Sequence, residues 1–235
     1  MNKKNYISLA KKSAEIQINE LKKIKQIFNN SFVKAIDLIL NCKGKVIFAG
    51  IGKSGLIARK ISATFSSVGI PSFFCDPAQA LHGDMGQIEK KDILIIFSYS
   101  GNTAELNNML KYANRYRIKI IGVASKTDSI LMKASDVKLI LPKVKESDLT
   151  GMVPTSSTTI TLLLGDCLAT TIMQQKKFTK EKFKVFHPGG NIGKSLLLAK
   201  DIMITGSKMP VIDHKRSFKE TLKVMNKKKL GIIVI

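Results

Sequence analysis

The chain is 235 residues long and 44% hydrophobic, with 39 lysines and arginines against 17 aspartates and glutamates and a formal net charge of +22. That length accommodates one ample domain and part of another, and no stretch approaches the roughly 18 apolar residues that a membrane-spanning helix needs. Cys42, Cys75 and Cys167 lie far apart with no C-x-x-C pair, which excludes a disulfide or zinc framework and fits the reduced thiols of a cytoplasm.

The opening MNKKNYISLAKK is basic, but no apolar run follows it, so it is not read as a signal peptide. Residues 1–40 read as a helical segment, with Ile7, Ala10, Ala14, Ile18, Leu21, Ile24 and Phe28 at spacings of three and four. Such a stripe packs on the main domain or on a neighbouring subunit. After NCKGK, strands and helices alternate. KVIFAG, PSFFCD, DILIIFSYSG, IKIIGVAS and VKLILPK read as five strands. SGLIARKISATFSSVG, TAELNNMLKYANRYR, DSILMKAS and the long apolar PTSSTTITLLLGDCLATTIMQQK read as helices. Short strands separated by helices predict an α/β fold, a parallel sheet covered on both faces, with ligands outside the carboxyl ends of the strands. Residues 200–235 differ: a loop, a helix over Phe218–Met225 and a strand over Ile232–Ile235.

Nucleic-acid binding is not the reading of the charge. There are only four arginines (Arg59, Arg115, Arg117 and Arg216), the lysines are spread along the whole chain, and aromatic residues do not interleave with basic clusters. A positive field does draw in anionic substrates.

Three turns carry chemistry. The first, GIGKSG, has the spacing Gly50-x-Gly52-x-x-Gly55 of a dinucleotide-binding turn, with Asp76 ending the next strand where a ribose-binding acid belongs. Against that reading, Arg59 falls where the helix needs a small residue, and Lys53 puts a cation into a turn that normally presents bare backbone. A triphosphate-binding loop fails on spacing, since it needs glycine where Ile47 stands. The second turn, SYSGNTAE, brings Ser98, Ser100 and Thr103 to a helix start, with Glu105 in its first turn. The third, PTSSTT, brings Thr155, Ser156, Ser157, Thr158 and Thr159 to another. Hydroxyls at one helix start are most often caps; two such starts beside a glycine turn suit one compact phosphate on a small molecule.

These residues also carry a resemblance. AGIGKSG, SATFSSVGIPSFFCDPAQALHGDMG, SYSGNTAEL, KES, PTSSTT, GDCLA and FHPGGNIGKSLL, in this order, resemble the sugar isomerase (SIS) domain family from about residue 30 to 200. The segment from Asp201 resembles the beginning of a CBS domain. The resemblance implies a three-layer αβα sandwich with a five-stranded parallel sheet. Its domain plan is an N-terminal helical segment (1–40), a SIS domain (41–199) and a partial CBS domain (200–235). It implies aldose–ketose isomerisation between D-arabinose 5-phosphate and D-ribulose 5-phosphate, the entry to 3-deoxy-D-manno-octulosonate and lipopolysaccharide synthesis, in a cytoplasmic homotetramer. The catalytic group it implies is Lys53, Glu105, Glu146 and His187, with the glutamates as candidates for proton transfer and His187 for ring opening. Gly52, Ser54, Ser98, Ser100, Thr103, Thr155, Ser156, Ser157 and Thr158 are the substrate-binding residues. No cofactor is required. A divalent metal such as zinc near His82, with Asp84 beside it, would inhibit rather than catalyse; two donors are too few for a zinc site. Two other readings stay open: a sugar-phosphate-binding regulator without catalysis, and an isomerase of another sugar phosphate.

Overall fold

The strand runs form β1 (Val46–Gly50), β2 (Ser72–Phe74), β3 (Ile93–Phe97), β4 (Lys119–Ala124) and β5 (Val137–Ile140). They pair in the order β2-β1-β3-β4-β5, every pair parallel. Every residue of β1 and β3 is buried, as expected where a sheet is covered on both faces, while the edge strands β2 and β5 are only partly so. This computed structural model describes residues 4–187 and 197–235. The chain divides into two compact units, Met1–Phe186 and His187–Ile235.

Alternation along the central strands builds two cores. Val46, Phe48, Ile93, Ile95 and Phe97 face one side, and Ile47, Ala49, Leu94 and Ile96 the other. The first face is covered by the 3-10 turn Lys22–Ile27, α2 (Asn30–Leu40), α3 (Gly52–Ser67) and, after the last strand, the long helix Ser156–Gln175, against which α1 (Lys4–Leu21) packs. The second is covered by α4 (Asn107–Arg115) and α5 (Ile130–Ala134). With the long helix as α6 and Lys180–Phe186 as α7, the first unit is the expected three-layer sandwich. α3 and α6 cross closely at Gly165, where an added Cβ would collide with the Ile61 side chain.

The N-terminal segment departs from the single periodic helix. α1 gives way to a 3-10 turn at Lys22–Ile27, and the Asn29 side chain accepts from Ser31 N to start α2. Ile24 and Ile27 stay buried through the break, so the periodicity hides it. The first part of the stripe turns outward: Ile7, Ala10, Ala14 and Ile18 are exposed, and Ser13, Ile16, Gln17 and Glu20 are half-buried instead, while Leu21 and Ile24 stay on the core side. In the second unit a helix spans Phe218–Lys228, opened by a reciprocal cap between Ser217 and Glu220. In place of the strand expected at Ile232–Ile235, a single parallel bridge joins Val211 and Val234.

Candidate functional site

Because β1 connects to β2 on one side and β3 to β4 on the other, the strand order reverses between β1 and β3. Connections leaving the carboxyl ends of these strands diverge and open a crevice, the favoured place for a ligand in such sheets. The glycine turn and the SYSGNT turn leave those two ends.

The glycines of the first turn serve the backbone. Gly52 has φ +58°, and a Cβ on Gly55 would stand 2.5 Å from the Gly50 carbonyl oxygen, so only glycine lets α3 start this close to β1. α3 has no side-chain cap, leaving its first N–H groups and dipole directed at the crevice. A cavity of about 480 Å³ occupies it, walled by Ile51, Lys53 and Ser54 from this turn. Gly52 is exposed and is not part of the wall.

The β3 turn supplies Ser98, Tyr99, Ser100 and Thr103. Ser98, only 4% exposed, shares a 2.8 Å hydrogen bond between its Oγ and Thr103 Oγ1, and its Oγ accepts from Gly101 N at 3.0 Å. Ser100 Oγ accepts from Asn102 N. The hydroxyls are therefore fixed before a ligand arrives.

The third wall comes from the segment after β5 and the start of α6: Val144, Glu146, Ser157 and Thr158, with Gly151, Met152 and Pro154 from the intervening loop. Asp148 organises that loop by accepting from the N–H groups of Thr150, Met152 and Val153 and from the Thr150 hydroxyl. Glu146 Oε2 accepts from Thr155 N at 2.7 Å, Thr155 Oγ1 at 2.9 Å and Ser157 N at 3.3 Å. Burial raises its proton affinity, but the hydrogen bonds from Ser157 and Thr155 outweigh it, and the carboxyl lies below its ordinary value. The α6 start, read from sequence as an anion site, is thus already occupied by a carboxylate of the chain. Thr155 is given over to Glu146, and Ser156 is fully buried behind the wall with no partner for its Oγ among the described residues.

Of the four candidate catalytic residues, Lys53 and Glu146 meet at this cavity. Glu105 is exposed on the 3-10 turn Ala104–Leu106, just past Thr103, and does not line it. His187 is half-buried and opens the second unit. The PGGNIGKSL part of the FHPGGNIGKSLL motif lies outside the described residues. His82 and Asp84 are exposed on consecutive 3-10 turns, and among the described residues no three His, Cys, Asp or Glu side chains gather as a metal site.

Sequence reasoning passes over Tyr99, although it sits inside the SYSGNT motif. Its hydroxyl donates to Pro142 O at 3.3 Å and accepts from Val144 N at 3.0 Å, tying the segment that carries Glu146 to the β3 turn.

The SIS domain family matches residues 39–171. The chain is 42% identical over 235 residues to an uncharacterized protein of Rickettsia prowazekii (strain Madrid E), which covers 100% of this chain and 73% of the relative. It is 40% identical over 216 residues to arabinose 5-phosphate isomerase KdsD of Escherichia coli (strain K12), covering 92% of this chain and 66% of the relative. The chain therefore spans between 66% and 73% of the length of these two curated relatives. Among solved structures, an E. coli CFT073 protein in complex with arabinose 5-phosphate superposes with a TM-score of 0.77 at 36% identity, over 80% of this chain and 100% of that one.

Proposed function

The chain belongs to the SIS domain family, and on that premise we propose that it is an aldose–ketose isomerase of sugar phosphates, interconverting D-arabinose 5-phosphate and D-ribulose 5-phosphate. The named relatives support the substrate class. The observation that carries the chemistry is an ionised, hydrogen-bonded carboxylate, Glu146, sharing one cavity with Lys53 and the hydroxyls of the β3 turn.

The reaction moves one proton between neighbouring carbons. In the open-chain aldose, the Glu146 carboxylate takes the proton from C2, the electron pair forms the C1=C2 bond, and the C1 oxygen gains a proton, giving an enediol. Loss of the proton from the C2 oxygen and return of the first proton to C1 complete the ketose. Glu146 suits the task because it is already ionised and held in one orientation. Lys53 stabilises the oxygen that develops charge in the enediolate. The phosphate belongs at the open start of α3 with Ser54, Ser98, Ser100 and Thr103, since the N–H groups of Thr155 and Ser157 are committed to Glu146. Ring opening falls to His187, and Glu105 is assigned a supporting role at the rim. No redox cofactor is needed for a proton transfer.

The same reading assigns the reaction to the start of 3-deoxy-D-manno-octulosonate synthesis, residues 200–235 to a CBS-like segment, and the assembly to a cytoplasmic homotetramer. The exposed apolar residues of α1, Tyr6, Ile7, Leu9 and Ile18, are a surface such an assembly would cover. The test is an NMR assay with arabinose 5-phosphate in deuterated buffer. Ribulose 5-phosphate should appear with deuterium at the carbon next to the carbonyl. Saturable binding without turnover would overturn the isomerase in favour of a regulator.

A further inference from the structure

We propose that helix α1 is a positioning element for the Glu146 carboxylate, acting through a one-way chain of hydroxyls from Ser13 to Ser147 to Thr155. The proposal rests on the reading of Glu146 as the proton carrier.

The chain of bonds is directional. Ser13 Oγ donates to Ser147 Oγ at 2.9 Å, Ser147 Oγ donates to Thr155 Oγ1 at 3.1 Å, and Thr155 Oγ1 donates to Glu146 Oε2 at 2.9 Å. Each hydroxyl spends its one proton toward the carboxylate, and Ser147 and Thr155 also accept from behind, so each bond polarises the next. Gln17 Nε2 also donates to Ser147 Oγ, at 3.4 Å, and Ser147 N donates to Thr155 Oγ1 at 2.9 Å. A turn further along α1, Glu20 Oε2 accepts from Lys145 N at 3.1 Å, and from the 3-10 turn beyond it Lys23 Nζ donates to Lys143 O at 3.3 Å. The backbone before Glu146 is thus tied to α1 and the 3-10 turn that follows it, and the Ser147 side chain after Glu146 is tied to α1. Ser13, Gln17 and Glu20 stand four and three residues apart on one face, where an amphipathic helix would ordinarily be apolar. Ser13, Gln17 and Glu20 are half-buried, with Ile16 beside them, while Ile7 and Ile18 are exposed, so this largely polar face is the one turned inward. None of Ser13, Gln17 or Ser147 lines the cavity, so their effect on substrate must pass through Glu146.

The charged groups around this carboxylate are Lys53, which lines the same cavity, Lys145 and Asp148 on its own segment, and Glu20 with Lys23 on the α1 side. Ser147→Ala removes the middle of the relay and leaves all of them in place.

The experiment follows the carboxyl 13C signal of Glu146 against pH in protein labelled at glutamate, the signal identified by its absence in Glu146→Gln. The same proteins are assayed for kcat and KM with arabinose 5-phosphate. Ser147→Ala is expected to raise the titration midpoint by about half a pH unit, as loss of one donor's polarisation implies. It should lower kcat by about three- to tenfold with KM within about twofold, and Ser147→Thr should restore both. Should Ser147→Ala fail to fold, Ser13→Ala on the outer link carries the same test with a smaller shift. An unchanged midpoint, or a loss of kcat that Ser147→Thr does not rescue, overturns the proposal. If the wild-type protein turns over no sugar phosphate, the isomerase reading falls; the midpoint then decides the relay alone, a shift sustaining it and no shift overturning it.

Discussion

At the scale of single residues, the site depends on how Glu146 is held. Burial raises its proton affinity, the hydrogen bonds from Ser157 and Thr155 lower it further than burial raises it, and the net pKa lies below the ordinary value. A carboxylate depressed in the folded state contributes stability that is present above its unfolded pKa and is lost as pH falls through the folded one. The same sign governs activity: the acid limb of kcat/KM should lie below the range of an unperturbed glutamate. Thr155→Val removes one donor and should move that limb upward by about half to one pH unit, read from the pH profile of kcat/KM. Glu146→Gln keeps an acceptor at the start of α6 but no base, and kcat should fall by about a hundred- to ten-thousandfold; activity within tenfold of wild type would move the proton transfer to Glu105. Lys53 and Glu146 are legible in the sequence because they sit in GKSG and KES, motifs that the resemblance carries. Their supports are not. Gln17 and Ser147 are 130 positions apart, and no local pattern announces a contact of that separation.

At the scale of elements, the five strands and the helices between them are readable because β1 and β3 are buried on both faces and so consist of little but apolar residues, many of them β-branched or aromatic. The switch between β1 and β3 follows from the order of strands, which a sequence does not state. The break between α1 and α2 escapes the periodic pattern for a physical reason: a 3-10 turn repeats every three residues, so the inward position after Ile24 is Ile27, where helical spacing placed Phe28, which is exposed. The seam between α3 and α6 allows a sharp stability test. Gly165→Ala would drive a methyl against Ile61, itself fully buried and unable to move aside. It should cost about 1–3 kcal/mol in urea unfolding. Since α3 carries Lys53 and α6 begins beneath Glu146, the surviving folded protein should also lose kcat. Unchanged stability would mean that the two helices separate freely, and that the cavity walls are less rigidly set than their packing implies.

At the scale of the whole molecule, the dominant feature is the net charge of +22. The basic residues are scattered, and several are paired locally, as Lys60 is with Asp166 and Lys119 with Asp136. Such exposed pairs contribute little to stability. The excess charge acts at longer range, as a positive field toward which a sugar phosphate with two negative charges drifts. The chemistry rests instead on Glu146, a half-buried carboxylate held by hydrogen bonds of the chain, which salt screens less than it does exposed charges, whose interactions fade over about 8 Å at physiological ionic strength. Encounter and chemistry should therefore respond differently to salt. Raising sodium chloride from about 20 mM to about 500 mM should lower kcat/KM for arabinose 5-phosphate by about three- to tenfold while kcat changes by less than about twofold. An anionic competitor would also raise KM, so the series is repeated at fixed chloride with the cation valence varied: screening follows ionic strength, and competition follows chloride. If kcat/KM stays flat in both series, the positive charge plays no part in substrate capture, and the lysines are a property of composition alone.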